Sequence, residues 1–378
     1  MPFQDDGSAI DQIMMAKAVK LAACGQYTCM PNPAVGCVIV KDDVVIGEGW
    51  HQIAGQGHAE VNALEEAGSE ARSATAYVTL EPCSHHGRTP PCADALIAAG
   101  VERVVFGMTD PNPKVSGQGL DKLRQAGIVV EGPLLEPEAK RLNRGFIKRQ
   151  EQGLPWVTVK LAMSLDGRTA MESGESQWIT GPAARQNVQR LRAKSCAIVT
   201  GIGTVLHDDP SLTVRADELG FESAAGAEAE AVAARQPLRV VVDSQLKTPV
   251  DAKVISSNGE SLLVTAVDNS DRQDAKIVSL PDGSGQVDLP ALLTFLAKKE
   301  CNNILVEAGA QLAGAFVHAG LVDELIIYMA PKLLGSSARP LLSLPFDRMG
   351  QQVSLDIQDI RQVGDDLRLT AKPVINKL

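Results

Sequence analysis

The chain has 378 residues, 44% of them hydrophobic and 22% charged, with a net charge of −10 and a pI near 5.2. That length asks for two or three domains with sizeable cores, and the acidic balance argues against a nucleic-acid partner, which needs a basic footprint. The seven cysteines show no disulfide-scaffold spacing, Met1–Ser8 has no apolar signal region, and no run reaches the roughly 18 apolar residues of a membrane span, so a cytoplasmic protein without a membrane partner is expected.

In chain order, Ile10, Met14, Ala18 and Leu21 recur at helical spacing, and Gly25 follows as a stop. Asn32 sits between Pro31 and Pro33, a stiff turn. Val35–Val40 reads as a strand, Lys41-Asp42-Asp43 as a turn and Val44–Trp50 as the hairpin partner. His51 closes that strand and by itself reads as a solvated loop histidine. A helix opens at His58, carries Val61, Leu64 and Ala67 on one face, and stops at Gly68. The strand Ala74–Leu80 runs into Glu81-Pro82-Cys83, and Pro91-Cys92 starts a helix that ends at Gly100. The strand Val101–Met108, a helix over Leu120–Ala126 and the strand Ile128–Val130 complete an α-β-β-α-β-α-β-α-β order. This is a layered α/β domain with helices on both faces, whose ligand edge lies where strand ends meet helix starts.

His58, Cys83 and Cys92 offer one imidazole and two thiolates, a zinc set that leaves the fourth tetrahedral position to water. All three are expected at helix N-termini, where the dipole favours thiolate. An activated water needs a proton carrier, and Glu60 lies two residues beyond His58. The His-x-Glu…Pro-Cys…Cys order is the signature of zinc-dependent base deaminases. Buried cysteines and a hydrogen-bonded histidine are the plainer reading, and the strand-to-helix context is what favours zinc. Eight residues separate Cys83 from Cys92, against two in the general signature. His85 or His86 as a fourth ligand would make a closed, non-catalytic zinc module, although exposed loop residues are the simpler reading. Asp110-Pro111-Asn112-Pro113 reads as a loop over the same edge.

Glu136–Gln152 is charged, is interrupted by Pro137 and Gly145, and fits either a helix or a linker. The boundary is placed near Gln150, which gives domains of residues 1–150 and 151–378. Ala216–Gln236 is rich in Ala and Glu and reads as a surface excursion. In the second half, strands are expected over Trp156–Met163, Cys196–Thr200, Leu238–Asp243, Asn303–Glu307 and Asp323–Met329, with helices over Pro182–Ala193 and from Ala308-Gly309-Ala310 to Gly320. Two strands end in glycine turns, Gly201-Ile202-Gly203-Thr204 and Ala308-Gly309-Ala310, that can present N–H groups to phosphates. Alone they support a phosphate or nucleotide site and no more.

The stretches His58–Leu64 and Thr79–Cys92, with Lys160–Gly167, Ser176–Thr180 and Thr204-Val205-Leu206 before Asp208-Asp209-Pro210, resemble the RibD family, bifunctional deaminase/reductases of riboflavin biosynthesis. The resemblance covers nearly the whole chain. It implies a cytidine-deaminase-like three-layer α/β domain followed by a dihydrofolate-reductase-like α/β domain that uses NADPH beside the Zn2+ of the first. By position, Asn32, His51 and Arg88 would contact the pyrimidine substrate. Ala162, Trp178, Thr204, Asp208, Ser244, Gly309, Ala310, Gln311, Leu312, Ala313, Gly314 and Ala315 would contact the cofactor. Ser176, Arg192, Leu212, Arg215 and Glu307 would hold the ribosyl phosphate. Arg192 and Arg215 both read as exposed and could grip a phosphate through bidentate bonds. Lys160 and Asp208 are the ionisable groups expected near hydride transfer, against a plainer reading as a solvated strand-end lysine and a turn-capping aspartate.

The implied protein deaminates 2,5-diamino-6-(5-phosphoribosylamino)pyrimidin-4-one, a small-molecule phosphoribosyl pyrimidine, then reduces the ribosyl group to ribityl, and works as a homo-oligomer. The competing expectation is a zinc deaminase of free cytosine nucleotides or tRNA with a non-redox second domain. The acidic pI speaks against tRNA.

Overall fold

The computed structural model describes residues 9–85, 90–113, 115–221, 228–268 and 272–374. The chain divides into two compact units, one of Met1–Gly153 and one of Leu154–Phe221 with Ala229–Leu378.

The first unit begins with α1 (Ala9–Cys24), β1 (Gly36–Lys41), β2 (Val44–Trp50), α2 (Ala59–Ala67), β3 (Thr75–Val78), α3 (Cys92–Ala99), β4 (Arg103–Phe106), α4 (Gln118–Gln125) and β5 (Val129–Glu131), the order expected from sequence. Its sheet runs β2-β1-β3-β4-β5, with β1 antiparallel to both neighbours and β3, β4 and β5 parallel. The period of two along a strand builds three layers. On β1, Val38 and Val40 pack with Met14, Met15 and Ala18 of α1, while Cys37 and Ile39 pack with Ala59, Ala63 and Leu96 of α2 and α3. Gly49 brings α2 close to the hairpin, since a Cβ there would lie 2.3 Å from the Ala59 carbonyl oxygen. Two further helices follow, α5 (Glu136–Leu142) and α6 (Arg144–Gln152), so residues 136–152 are helical and not a loose linker. Gln150 lies inside α6; the division between the units falls at Gly153, where the chain turns through φ 68°.

The second unit contains β6 (Trp156–Ser164), β7 (Arg168–Ala170), α7 (Pro182–Ala193), β8 (Ala197–Gly201), α8 (Ile202–Asp208), α9 (Ala229–Ala234), β9 (Leu238–Val242), α10 (Lys253–Ser256), β10 (Ser261–Thr265), β11 (Lys276–Ser279), α11 (Leu289–Lys298), β12 (Asn303–Val306), α12 (Ala310–His318), β13 (Glu324–Ala330), β14 (Arg339–Pro340), β15 (Ser354–Val363) and β16 (Asp366–Val374). Nine of these strands form one sheet in the order β11-β10-β9-β8-β12-β6-β13-β16-β15. The pairs from β11 to β13 are parallel, and β16 and β15 add antiparallel. Leu292 and Leu296 of α11 and Phe316 of α12 fill the main core with Val157, Val159 and Val199. Ala184 and Val188 of α7 pack with Ile326 and Tyr328 in a separate cluster. The five strands expected from sequence are the contiguous centre of the sheet. Strands β11, β15 and β16 go unseen because they lack a continuous apolar run, the sign of a strand buried on both faces. β10, by contrast, has such a run in Leu262-Leu263-Val264 and is as buried as the central strands. Of the Ala216–Gln236 stretch, residues 222–227 lie outside the described residues and the remainder includes α9.

Candidate active sites

In the first unit, His58 is the N-cap of α2 and Cys92 the first residue of α3. Cys83 is not at a helix start in sequence, as expected, but in the connection from β3 to α3. It reaches a helix start in space: the Cys92 N–H donates to Cys83 Sγ at 3.3 Å, and the Ala93 N–H to the Cys83 carbonyl at 3.1 Å. The ligand atoms of His58, Cys83 and Cys92 all lie within 4.8 Å of one another. His58 Nδ1 stands 3.2 Å from Cys92 Sγ and 3.6 Å from Cys83 Sγ. A tetrahedral zinc with ordinary N and S bond lengths needs N-to-S edges of about 3.5 Å. The donor set and spacing therefore fit zinc, with one corner left for water.

The electrostatics favour the same outcome. The Cys83 thiol is pushed down to about 4, first by the bond from Cys92 and then by His58, so a thiolate forms readily there. The Cys92 thiol is pushed up by Cys83, by burial and by Glu60. Glu60, in the first turn of α2, is 3% exposed. Burial, reinforced by the Cys83 thiolate, pushes its carboxyl up to about 7, where it can both take and give a proton.

Asn32 and His51 stand together at this edge. Asn32 Nδ2 donates to His51 Nε2 at 3.0 Å, His51 Nδ1 donates to the Gly57 carbonyl at 3.1 Å, and the His51 and His58 rings meet edge to face at 5.3 Å. His51 is thus a buried residue and not a solvated loop histidine, 2% exposed; burial lowers its pKa and keeps the ring neutral. Arg88 and His86 lie outside the described residues. His85 is exposed and stands apart from the His58, Cys83 and Cys92 cluster.

Glu81, passed over in the sequence, holds the neighbouring loop. Its carboxylate accepts from the N–H groups of Asp110 at 3.1 Å, Gly117 at 3.0 Å and Gly119 at 2.9 Å. A Cβ at Gly119 would lie 1.9 Å from the Pro82 oxygen, so only glycine lets this loop rest on the Cys83 segment. The available signal was an acidic residue at a strand end directly before Pro-Cys. Asp110 itself is pushed up by burial, beside Glu81 and Cys83.

The second unit has a cavity of about 2000 Å³ along the C-terminal ends of β6, β8, β9 and β12. Its wall includes Lys160, Ala162, Ser176, Trp178, Arg192, Thr204, Asp208, Leu212, Arg215, Ser244, Glu307, Gly309, Ala310, Gln311, Leu312 and Ala315. Ala313 and Gly314 turn the other way: Ala313 is in the core, and a Cβ on Gly314 would lie 2.2 Å from the Ser343 carbonyl. A helical turn places successive residues about 100° apart, so the run 309–315 cannot all face one ligand. β8 leads through Gly201 into α8, and β12 through Gly309 into α12, so both glycine turns open on this cavity.

Burial and pairing differ from the sequence expectation at three charged positions. Arg192 is largely buried: Nε donates to Glu307 Oε1 at 2.6 Å, Nη2 to Oε2 at 3.1 Å and Nη1 to the Thr213 carbonyl at 3.2 Å. Lys160 is no solvated strand end; Nζ stands 3.9 Å from Glu307 on a half-buried strand position. Burial pushes Lys160 down, Glu307 opposes and Arg192 adds to the fall. Against the upward push of burial, Arg192 and then Lys160 hold the Glu307 carboxyl below its ordinary range. The capping role belongs to Asp209, which accepts from the Lys253 N–H at 2.8 Å, while Asp208 is exposed on the cavity wall. Arg215 is exposed as expected, with its fork on Glu218 at 2.6 and 2.5 Å. Trp178 is 62% exposed, with the Arg185 guanidinium 4.5 Å above its ring and its carbonyl bonded by Lys332.

Residues 8–108 match the family model described as the cytidine and deoxycytidylate deaminase zinc-binding region, and residues 155–369 match the RibD C-terminal domain. The chain is 52% identical to the riboflavin biosynthesis protein RibD of Escherichia coli over 362 residues, 95% of this chain and 98% of that protein. The RibD of Haemophilus influenzae is 49% identical, over 97% of this chain and 98% of its own length. Among solved structures, RibD of Acinetobacter baumannii superposes with a TM-score of 0.88 at 46% identity, covering 97% of this chain and 99% of that one. A Thermotoga maritima diaminohydroxyphosphoribosylaminopyrimidine deaminase/5-amino-6-(5-phosphoribosylamino)uracil reductase superposes at 0.84 and 31% identity, again over 97% and 99%. With two domain matches in the expected order and relatives similar along their whole length, the chain belongs to the RibD family.

Proposed function

We propose that this protein catalyses two consecutive steps of riboflavin biosynthesis on one phosphoribosyl pyrimidine. The first half, residues 1–150, removes the 2-amino group of 2,5-diamino-6-(5-phosphoribosylamino)pyrimidin-4-one as ammonia. The second, residues 151–378, reduces the ribosyl group of the product to ribityl. The observation that carries this is a buried Glu60 beside three donors at tetrahedral zinc spacing, in a chain whose other half holds a nucleotide-sized cavity.

His58, Cys83 and Cys92 hold zinc, which when bound supplies a water acidic enough to attack near neutrality. Glu60 would carry one proton of the attacking water to a ring nitrogen and the other to the departing amine, so that both protons of the water are used, a cycle that its raised pKa suits. Asn32 and His51 orient the pyrimidine, and Arg88, between Cys83 and Cys92 in the sequence, is assigned to the same substrate. In the second half, Trp178, Thr204, Ser244 and the start of α12 hold NADPH, which supplies the hydride. Glu307, fixed by Arg192, faces the sugar with Lys160 beside it, and Ser176, Leu212 and Arg215 complete the substrate side.

A zinc deaminase with a non-redox second half is disfavoured by the RibD C-terminal match over residues 155–369. None of the seven cysteines is in a disulfide, which fits a reducing, cytoplasmic setting; no helix among the described residues is long and apolar enough to cross a membrane.

A homo-oligomer is supported by β15 and β16. A bulge between Ile357 and Asp359 brings Leu355, Ile357 and Ile360 onto one face, opposite Pro373, Ala371 and Leu369. Ala371 is buried and Leu369 packs against the core, but Ile357 and Ile360 are 53% and 58% exposed, an apolar strip that a second copy would cover.

The decisive test incubates the purified protein with the diaminopyrimidine substrate, with and without NADPH, following ammonia and NADPH separately. Ammonia release without NADPH, then NADPH loss only after deamination, is the expected order. NADPH oxidation with no ammonia would overturn it.

A further inference from the structure

Helices α5 and α6 occupy residues that neither family model claims, since the deaminase match ends at residue 108 and the reductase match begins at 155. The Asn143 side chain of this segment nonetheless reaches the backbone two residues from Asn32. Asn143, between the two helices, is 4% exposed. Its Oδ1 accepts from the Ala34 N–H at 2.8 Å, and its Nδ2 donates to the carbonyl of the same residue at 2.9 Å. A carboxamide paired with both backbone groups of one residue mimics a neighbouring strand and fixes that residue in direction as well as distance. Ala34 needs such a partner because β1 begins only at Gly36.

Ala34 is surrounded by the groups that face the ligand edge. Asn32, two residues earlier, donates to His51 Nε2 at 3.0 Å. Val35, the next residue, accepts from the His51 N–H at 2.9 Å. The His51 ring in turn meets that of His58 at 5.3 Å. The chain of contact therefore runs from Asn143 through the Ala34 backbone to the Asn32–His51 pair and on to the first zinc donor.

We infer that Asn143 is a positioning residue of the deaminase site, which sets Asn32 and His51 against the pyrimidine ring and makes α5–α6 part of that site. The inference rests on the deaminase reading above. A residue that only stabilised the fold would lower activity independently of Asn32. One that acts through Asn32 leaves nothing further to lose once Asn32 is gone.

The test uses the full chain as wild type, Asn143→Ala, Asn32→Ala and the double variant. Zinc content, ammonia-release kinetics and reduction of the deaminated intermediate are measured on each. Asn143→Ala is expected to keep its zinc and its reductase activity and to lose deaminase kcat/KM roughly tenfold to a hundredfold, as buried backbone groups lose their partner. The double variant should be no worse than the weaker single variant, within about twofold. Should Asn143→Ala lose zinc, Asn143→Asp is read in its place: it has the same shape and keeps the bond from the Ala34 N–H, and is expected to retain zinc with lowered kcat/KM. Fully additive losses in the double variant, an unchanged kcat/KM in Asn143→Ala, or loss of zinc from both Asn143 variants would each overturn the assignment. A wild-type chain that releases no ammonia would remove the deaminase reading itself, and that outcome shows before any substitution is made.

Discussion

Arg192 closes both arms of its guanidinium on Glu307, 115 residues away, with Nε to Oε1 at 2.6 Å and Nη2 to Oε2 at 3.1 Å. A side chain read from sequence as a free phosphate grip is thus already committed to a carboxylate that also faces Lys160. The cavity wall here is a charge cluster, in which one buried acid is shared by two cations.

Removing Arg192 leaves Glu307 largely buried with Lys160 as its nearest cation. Breaking a buried pair from one side costs about 3–5 kcal/mol, whereas loss of an exposed pair such as Arg215–Glu218 costs about 1 kcal/mol or less. Arg192→Ala should therefore lower the urea midpoint far more than Arg215→Ala, and should depress reductase kcat/KM while leaving ammonia release intact. Equal midpoints for the two variants would contradict the burial argument.

The same cluster sets a pH dependence. Glu307 is held below its ordinary 4.5, so in that range the unfolded chain binds more protons than the folded one. Its contribution is complete above the ordinary value and declines as pH falls through the folded value. Urea midpoints measured from neutrality down to about pH 3 should fall for the wild type, and Glu307→Gln should flatten that part of the curve. An identical acid limb in both proteins would exclude Glu307 as the titrating group.

The metal site predicts separable losses. The protein should carry about one zinc per chain, and Cys83→Ser or Cys92→Ser should lose metal and ammonia release together. Glu60→Gln should retain zinc and lose about a hundredfold or more of the deaminase rate, because only the proton carrier is removed. Elemental analysis with a deaminase assay on each variant decides it; full activity in Glu60→Gln would remove the proposed proton route.

Each unit has its own core, so a fragment ending at Gly153 should bind zinc and release ammonia. A fragment ending at Gly132 lacks Asn143 and should show much weaker ammonia release even where it stays soluble. Comparable rates from both fragments would mean that α5 and α6 are dispensable.

The exposed strip on β15 makes a prediction about assembly. Replacing Ile357 and Ile360 together by Lys should shift the protein from oligomer to monomer in light scattering, with zinc content unchanged. A wild type that is already monomeric at micromolar concentration would leave the strip without the proposed occupant.

The cluster of His58, Cys83 and Cys92 with Glu60 beside it, and every strand of the first sheet, were legible in the sequence for a chemical reason. A three-ligand site demands particular residue types in a particular order, and a three-layer domain writes its period of two and its glycine stops into short segments. In the second unit the five central strands are legible because burial on both faces leaves a continuous apolar run, and an exposed edge such as β15 leaves none. β10, buried through Leu262-Leu263-Val264, carries the same signal without having been expected. What remained beyond reach depends on partners distant in the chain. Arg192 meets Glu307 across 115 residues, and Asn143 meets Ala34 across 109. His51 becomes a buried neutral ring only when Asn32, Gly57 and His58 gather around it. The strand ends and helix starts were written locally, but whether a charge is solvated or paired, and whether a polar side chain is free or spoken for, is set by neighbours that only the folded chain brings within three ångströms or so.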